Sequence, residues 1–309
     1  MSRQNLRMHI HPKAFRHFDM IRRCGSIREA ARRLHVSSSA LNRQLLQLED
    51  DLGSPLFERL PGGLRLTPVG EIFSRHVLTV LQDARRMEGE LDALRGLRRG
   101  SIDVVCVESL TMDFLPGLLE RMIERYPGVR LSVRVAGSAA AAQAVANADA
   151  DVAIGFVLHR SEALRQIVSG RFALGAIVTP LHPLARLRQV SFAECARHPL
   201  ILAGPELSIH WEMRSLLAAH KRARNVVLET GSLELMKQLA LRGTGVAFVN
   251  RFGVERELAR GELRRIPLKP AILFNLGVYV RADRALPPAI DAFTRLVAEE
   301  IREREASEG

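Results

Sequence analysis

Four side chains within the stretch Ser26 to Gly53, namely Ser38, Ser39, Asn42 and Arg43, are of the types that hydrogen-bond to base edges and phosphates. Arg suits guanine, Asn suits adenine, and Ser tolerates several bases. Their spacing puts them on one face of a helix whose opposite stripe is Leu41, Leu45, Leu48 and Leu52. On most soluble helices such a face only meets water, so its meaning depends on the elements around it. Catalytic chemistry has less to work with. Ten His and three Cys are present, but no HExxH, GxSxG, P-loop or CxxC pair organises them. His9 and His11 alternate before a proline, as in a surface tail. Cys195 precedes His198 with no second pair to complete a metal site. Cys106, in an aliphatic run, reads as buried packing rather than a redox sensor. The expectation is no enzyme, no cofactor and no metal.

The polar face gains weight from its neighbours. Ser26 begins a helix with a capping box, its hydroxyl toward the Glu29 N–H and the Glu29 carboxylate back toward Ser26. Ile27, Ala30, Ala31 and Leu34 follow at helical spacing. The turn is His35-Val36, and Ser37 is the N-cap of the second helix. Upstream, a helix from Lys13 to Cys24 points Phe15, Phe18 and Ile21 inward and stops at Gly25. Downstream, Leu56 to Leu60 and Leu64 to Thr67 flank Pro61-Gly62-Gly63 as a β-hairpin. Three helices and a hairpin make a winged helix-turn-helix. The hairpin is the wing, with Arg59 and Arg65 in reach of phosphates. Ser26 and Ser37 join Ser38, Ser39, Asn42 and Arg43 as DNA-contact candidates.

Residues 12–70 resemble the winged helix-turn-helix of the LysR-type transcriptional regulators. The matching elements are Phe18, Gly25-Ser26, Ala30-Ala31, Leu34, Val36-Ser37, Asn42-Arg43, Leu48-Glu49, Leu52-Gly53, Leu56-Phe57, Arg59, Leu66-Thr67 and Gly70. Ser38-Ser39 stands where the family commonly has Gln-Pro, and Asn42 where it commonly has Ser. Both departures lie on the reading face and bear on the operator sequence rather than the fold.

Charge agrees with double-stranded DNA as partner. Of a net +11 over 309 residues, residues 1–66 supply more than half, with 12 Lys and Arg against 6 Asp and Glu. Charge so concentrated gives salt-dependent phosphate affinity. A membrane surface would also attract it, but no segment approaches the roughly 18 apolar residues of a spanning helix. The start MSRQNLRMHIHPK lacks an apolar signal core, which predicts a cytoplasmic protein.

Thr67-Pro68 opens a helix running to about Arg95. Phe73, Val77, Val80, Ala84, Met87, Leu91 and Leu94 recur in it at alternating steps of four and three, a heptad seam that predicts self-association. The resemblance independently implies a dimerisation linker here. A homodimer or homotetramer then reads an interrupted palindrome, since one winged helix contacts only a few base pairs. Residues 67–99 are the linker, ending in a basic hinge at Arg95 to Gly100, between a DNA-binding domain at 1–66 and a third segment at 100–309.

That third segment alternates aliphatic strands with helices. Ile102 to Val107, Val129 to Val135 and Asp151 to Phe156 read as strands, with helices at Phe114 to Arg125 and Ala139 to Ala148. A second α/β unit follows, with strands at Phe172 to Val178, Leu200 to Ala203, Val226 to Glu229 and Val246 to Val249. Its helices are Trp211 to His220 and Leu233 to Leu241; strand Leu276 to Val280 and helix Pro288 to Arg302 close the chain. The pattern predicts two lobes, about 100–165 with 270–309 and 166–269, with crossings at Leu164 to Ser169 and Ile266 to Ile272. The fold class is therefore α/β, with an N-terminal winged helix-turn-helix, a long linker helix and a two-lobed C-terminal domain. That domain resembles the LysR effector-binding domain and, in architecture, the periplasmic solute-binding proteins.

Open α/β sheets bind ligands beyond the C-terminal ends of their strands. Ser109, Thr111, Ser138, Gly204 and Ser232 stand at such ends, and the resemblance implies a hydroxyl against the effector at Ser109. Hydroxyls there also serve as plain N-caps. Phe156 occupies a position where some relatives that bind carboxylates carry Arg, so an apolar or aromatic effector is conceivable. Gly243 and Gly245 read as a helix stop and a turn, not a phosphate cradle. Three functions compete: a transcription regulator controlled by a small-molecule effector, with RNA polymerase as a candidate partner; a solute-binding transport protein; and an effector-independent architectural DNA-binding protein. The winged helix and the lack of an export signal exclude the second; the first is the expected function, and the third stays open as the alternative that a thermal-shift screen with small molecules would decide.

Overall fold

The computed structural model describes residues 13–94, 99–156, 161–220, 225–282 and 285–307. The chain divides into two units, Met1–Arg95 and Gly96–Gly309. His9, His11 and hinge residues 95–98 lie outside the described residues.

In the first unit, α1 (Lys13–Cys24), α2 (Ile27–Leu34) and α3 (Ser38–Asp51) precede a hairpin of β1 (Phe57–Leu60) and β2 (Gly63–Leu66) and the long α4 (Pro68–Leu94). The core is aromatic at its centre. Phe18, 1% exposed, packs its ring against Phe57 at 5.3 Å and Phe73 at 4.9 Å between centroids. Gly25 ends α1 with φ +59°, the left-handed stop expected there. Glu49 binds α3 to the wing, accepting from the Leu56 N–H at 2.7 Å and the Phe57 N–H at 3.3 Å. Thr67 starts α4, its hydroxyl donating to the Pro55 carbonyl and accepting from the Gly70 N–H. Gly70 is required by close approach, because a Cβ there would stand 2.0 Å from the Leu56 carbonyl oxygen.

Three local expectations are corrected. Only half of the capping box forms: the Ser26 hydroxyl accepts from the Glu29 N–H, but the Glu29 carboxylate pairs with Arg32 at 2.7 Å and Arg33 at 2.8 Å. Hydrogen bonds from Arg32 and then Arg33 hold its carboxyl at about 2. Leu52 caps α3 and is 42% exposed, so the buried stripe ends before it. The seam on α4 is divided. Val77 is fully buried and Phe73 packs on Phe15 and Phe18, so both belong to the core of their own domain. Val80, Ala84, Met87 and Leu91 stay half-buried in the single chain, and the side chain of Leu94 lies outside the described residues.

The second unit holds two five-stranded mixed sheets. Its elements are β3 (Arg99–Cys106), α5 (Phe114–Arg125), β4 (Gly128–Val135), α6 (Ser138–Ala146), β5 (Val152–Phe156), β6 (Leu164–Ala173), β7 (Gly175–Val178), α7 (Phe192–Cys195), β8 (Pro199–Ala203), α8 (Ser208–Ala219), β9 (Asn225–Thr230), α9 (Leu233–Leu241), β10 (Val246–Val249), α10 (Glu255–Ala259), β11 (Arg264–Pro267), β12 (Leu273–Arg281) and α11 (Pro288–Ala306). The strand orders are β4-β3-β5-β12-β6 in lobe 1 and β11-β7-β10-β8-β9 in lobe 2. In lobe 1, β3 pairs in parallel with β4 and β5, while β12 runs antiparallel to β5 and β6.

Phe172 to Val178 is not one strand. Phe172 pairs with Phe274 in the first sheet and Ile177 with Ala247 in the second, so the first crossing falls at Leu174 rather than at Leu164 to Ser169. The Leu174 N–H donates to the Ile272 carbonyl at 2.8 Å, where the two crossing segments run side by side. Cys106 and Cys195 are fully buried. Burial pushes the Cys106 thiol up to about 11, and burial with the Glu194 charge pushes Cys195 up to about 12. A thiol reagent at pH 8 is therefore expected to label Cys24 quickly in the native protein and the other two only after denaturation. Fast labelling of two or three native thiols would overturn that assignment.

Candidate DNA interface and effector cleft

The helix-turn-helix is set by two short caps. His35 takes a left-handed conformation at φ 55° and closes α2. The Ser37 hydroxyl then accepts from the Ala40 N–H at 3.2 Å to start α3. With Leu41 and Leu45 buried beneath, Ser38, Ser39 and Arg43 are exposed and Asn42 is half-buried on the outer face. Ser26, Ser37 and Ser38 share a shallow groove with Arg28 and Arg32, two cations outside the base-reading set expected from the sequence. From the wing, the Arg59 guanidinium donates to Asn42 Oδ1 at 3.3 Å, joining hairpin and recognition helix in one polar surface. Arg65 stands opposite Glu58 in the hairpin register, exposed.

In the second unit, a cavity of about 250 Å³ lies between the lobes. Ser109, Ser138 and Phe156 line it, together with Glu108, Gly137, Glu206, Ser208, Gly231 and Asn250 and an apolar set including Val107, Val135, Ile209 and Leu233. Phe156 is a buried wall, its ring edge-on to Phe252 and Phe274. Three expected contacts do not line the cavity. The Thr111 hydroxyl donates to the Glu108 carbonyl at 2.7 Å. Ser232 caps α9, accepting from the Leu235 N–H and donating to Glu108 Oε1. Gly204 is buried under Glu206, whose Oε2 would stand 2.6 Å from a Cβ at 204.

Glu108, Glu206 and Asn250 are among the lining residues that sequence reading did not offer as effector contacts. Glu108 reaches from lobe 1 to the start of α9 in lobe 2, accepting from the Leu233 N–H at 3.0 Å. The positive end of that helix is thereby already occupied by an internal carboxylate. Asn250 is 3% exposed and its Oδ1 accepts from the Phe252 N–H. Among the described residues no group of three or more His, Cys, Asp or Glu is placed to hold a metal ion. No described helix is long and apolar enough to cross a membrane.

A winged helix-turn-helix joined to a two-lobed α/β unit with a cleft defines a DNA-binding regulator with a ligand-binding domain. Residues 12–71 match the bacterial regulatory helix-turn-helix protein, lysR family, and residues 95–302 match the LysR substrate binding domain. The chain belongs to the LysR family of transcriptional regulators. It is 28% identical over 295 residues to the RuBisCO operon transcriptional regulator of Allochromatium vinosum, covering 95% of this chain and 97% of that one. The fold is similar to full-length OxyR from Pseudomonas aeruginosa, with TM-score 0.72 and 20% identity over 95% of each chain. It is also similar to full-length CbnR solved with its target DNA, with TM-score 0.59 and 20% identity over 93% of this chain and 99% of that one.

Proposed function

We propose that this regulator is cytoplasmic, reads an interrupted palindrome as a homodimer or homotetramer, and answers to a small molecule held between the lobes of its second unit. It carries out no catalysis. The observation that supports this most is the outer face of α3, where Ser38, Ser39, Asn42 and Arg43 gather beside Arg59 of the wing. Phosphate attraction comes from the charge of the first unit, and sequence is read by the few side chains that reach base edges. Control by the small molecule requires that it bind one arrangement of the protein better than another. RNA polymerase is the candidate protein partner on the promoter.

Selection of genomic DNA fragments on the purified protein at near-physiological salt, followed by sequencing, tests this reading. A few discrete palindromic sites are expected. Uniform retention that disappears with modest salt would replace it with charge-driven architectural binding. On a recovered site, Arg43→Ala is expected to cost about 1–3 kcal/mol of specific affinity with little change in nonspecific binding. An unchanged footprint would remove Arg43 from the reading surface.

A further inference from the structure

We infer that the cleft takes a small zwitterion, an α-amino acid with an apolar side chain; this rests on the effector reading above and names the ligand class. Three helix starts face the cavity, and their charge states differ. The start of α9 already holds the Glu108 carboxylate. The start of α8 is preceded by Glu206, which lines the cavity and makes no hydrogen bond or ion pair among the described residues. Only α6 begins without either: Gly137 offers no side-chain cap. Ser138, which follows it and lines the cavity, is 8% exposed with a buried hydroxyl that has no partner. A buried unpaired hydroxyl is costly, and a ligand acceptor at this helix start would satisfy it together with free backbone N–H groups.

The two ends of such a ligand are close together. A Cβ at Gly137 would stand 2.9 Å from the Glu206 carbonyl oxygen, so the uncapped start of α6 and the segment bearing the Glu206 carboxylate are neighbours across the cleft. Gly204 and Gly231 leave the space over which that carboxylate lies. A carboxylate at α6 and an ammonium at Glu206 match this pair. A phosphate or dicarboxylate would meet Glu206 and Glu108 with no Lys, Arg or His among the described lining residues to offset them. A bare amine would leave Ser138 unpaired. Val107, Val135, Phe156, Ile209 and Leu233 provide the apolar wall for the side chain.

The test is calorimetric titration of the full chain with L-Ala, L-Val, L-Leu, L-Ile, L-Met and L-Phe, beside 4-methylpentanoate, 3-methylbutylamine and inorganic phosphate. At least one amino acid is expected to bind, with its deaminated and decarboxylated analogues weaker by about tenfold or more, the loss that follows from removing a charged hydrogen-bond partner. Glu206→Gln should weaken the amino acid by a similar factor while leaving its deaminated analogue, relieved of a repelling carboxylate, bound as well or better. Ser138→Ala should weaken both alike, with unchanged melting temperatures showing that the variants fold. Binding of phosphate or the simple carboxylate in preference to every amino acid would overturn the ligand class while leaving effector control standing. If no amino acid binds, but cell-extract metabolites still shift the operator footprint, the ligand class again fails alone. If no small molecule alters footprint or melting, effector control fails with it.

Discussion

Leu91→Glu is expected to halve the mass of the protein in light scattering and to weaken binding to a palindromic site by about 10²–10⁴, the avidity lost when two half-site readers are no longer joined. The expectation follows from how α4 divides. Its 27 residues span about 40 Å at the α-helical rise, and its packing within its own unit is against α1 and β2. Phe73 and Val77 are consumed in that packing. Ala84, Met87 and Leu91 continue the heptad but are only half-buried, on a helix half that is marginal alone in water. In the dimer we propose, a second copy of the helix covers that half, and a carboxylate at Leu91 would then be buried in an apolar seam, which strongly opposes pairing. Val77→Ala separates the two halves: it should cost stability of the DNA-binding unit and leave the mass unchanged. An unaltered mass for Leu91→Glu would instead place the oligomer contact on the α/β lobes.

What the sequence made legible was whatever has a local cause. The spans Phe114–Arg125, Leu233–Leu241 and Val246–Val249 were readable to the residue, because caps, proline and periodicity act within a few positions. Ser109 and Ser138 were placed at the cleft by topology, since strand ends and helix starts can be read along the chain. The sheet switch at Leu174 was not, because Phe172 and Ile177 are equally buried and nothing local distinguishes one apolar sheet from the next. Strand β11 was missed for a related reason: Arg264-Arg265-Ile266-Pro267 is short, polar and ends in proline, and it becomes a strand only by pairing with β7. Glu108 acts on Ser232, 124 residues away, so its role exists only in the folded protein. Thr111, Gly204 and Ser232 do not line the cavity because each has structural work first: Thr111 closes the turn at Glu108, Gly204 makes room for the Glu206 side chain, and Ser232 caps α9.

Phe252→Ala is expected to destabilise the effector unit by about 3–5 kcal/mol, the usual cost of removing a fully buried aromatic ring, and to lower its melting temperature by roughly 10 °C. Phe252 follows β10 in lobe 2, yet its ring packs into lobe 1, 4.7 Å from Phe172, 5.5 Å from Phe114 and 5.7 Å from Phe156. The Arg304 guanidinium lies 5.7 Å over the same ring and pairs with Glu255 of α10 at 2.6 Å. Arg256 meets Asp113 at 2.8 Å across the same junction. The larger buried cluster accordingly runs through both lobes, beside a smaller one in lobe 1 around Val105, Ala141 and Tyr279. Two lobes joined in this way unfold together, so calorimetry of the wild-type effector unit should show one transition, and the variant one transition at lower temperature. Separate melting of the lobes would show that they are independent bodies joined only by their two crossings. The distinction bears on signalling. Wide opening of the cleft would have to pull Phe252 out of lobe 1 and break Arg304–Glu255, a cost that a ligand filling about 250 Å³ has little binding energy to offset. In the function proposed above, a ligand in the cleft would accordingly act through small shifts within the joined lobes rather than through wide opening.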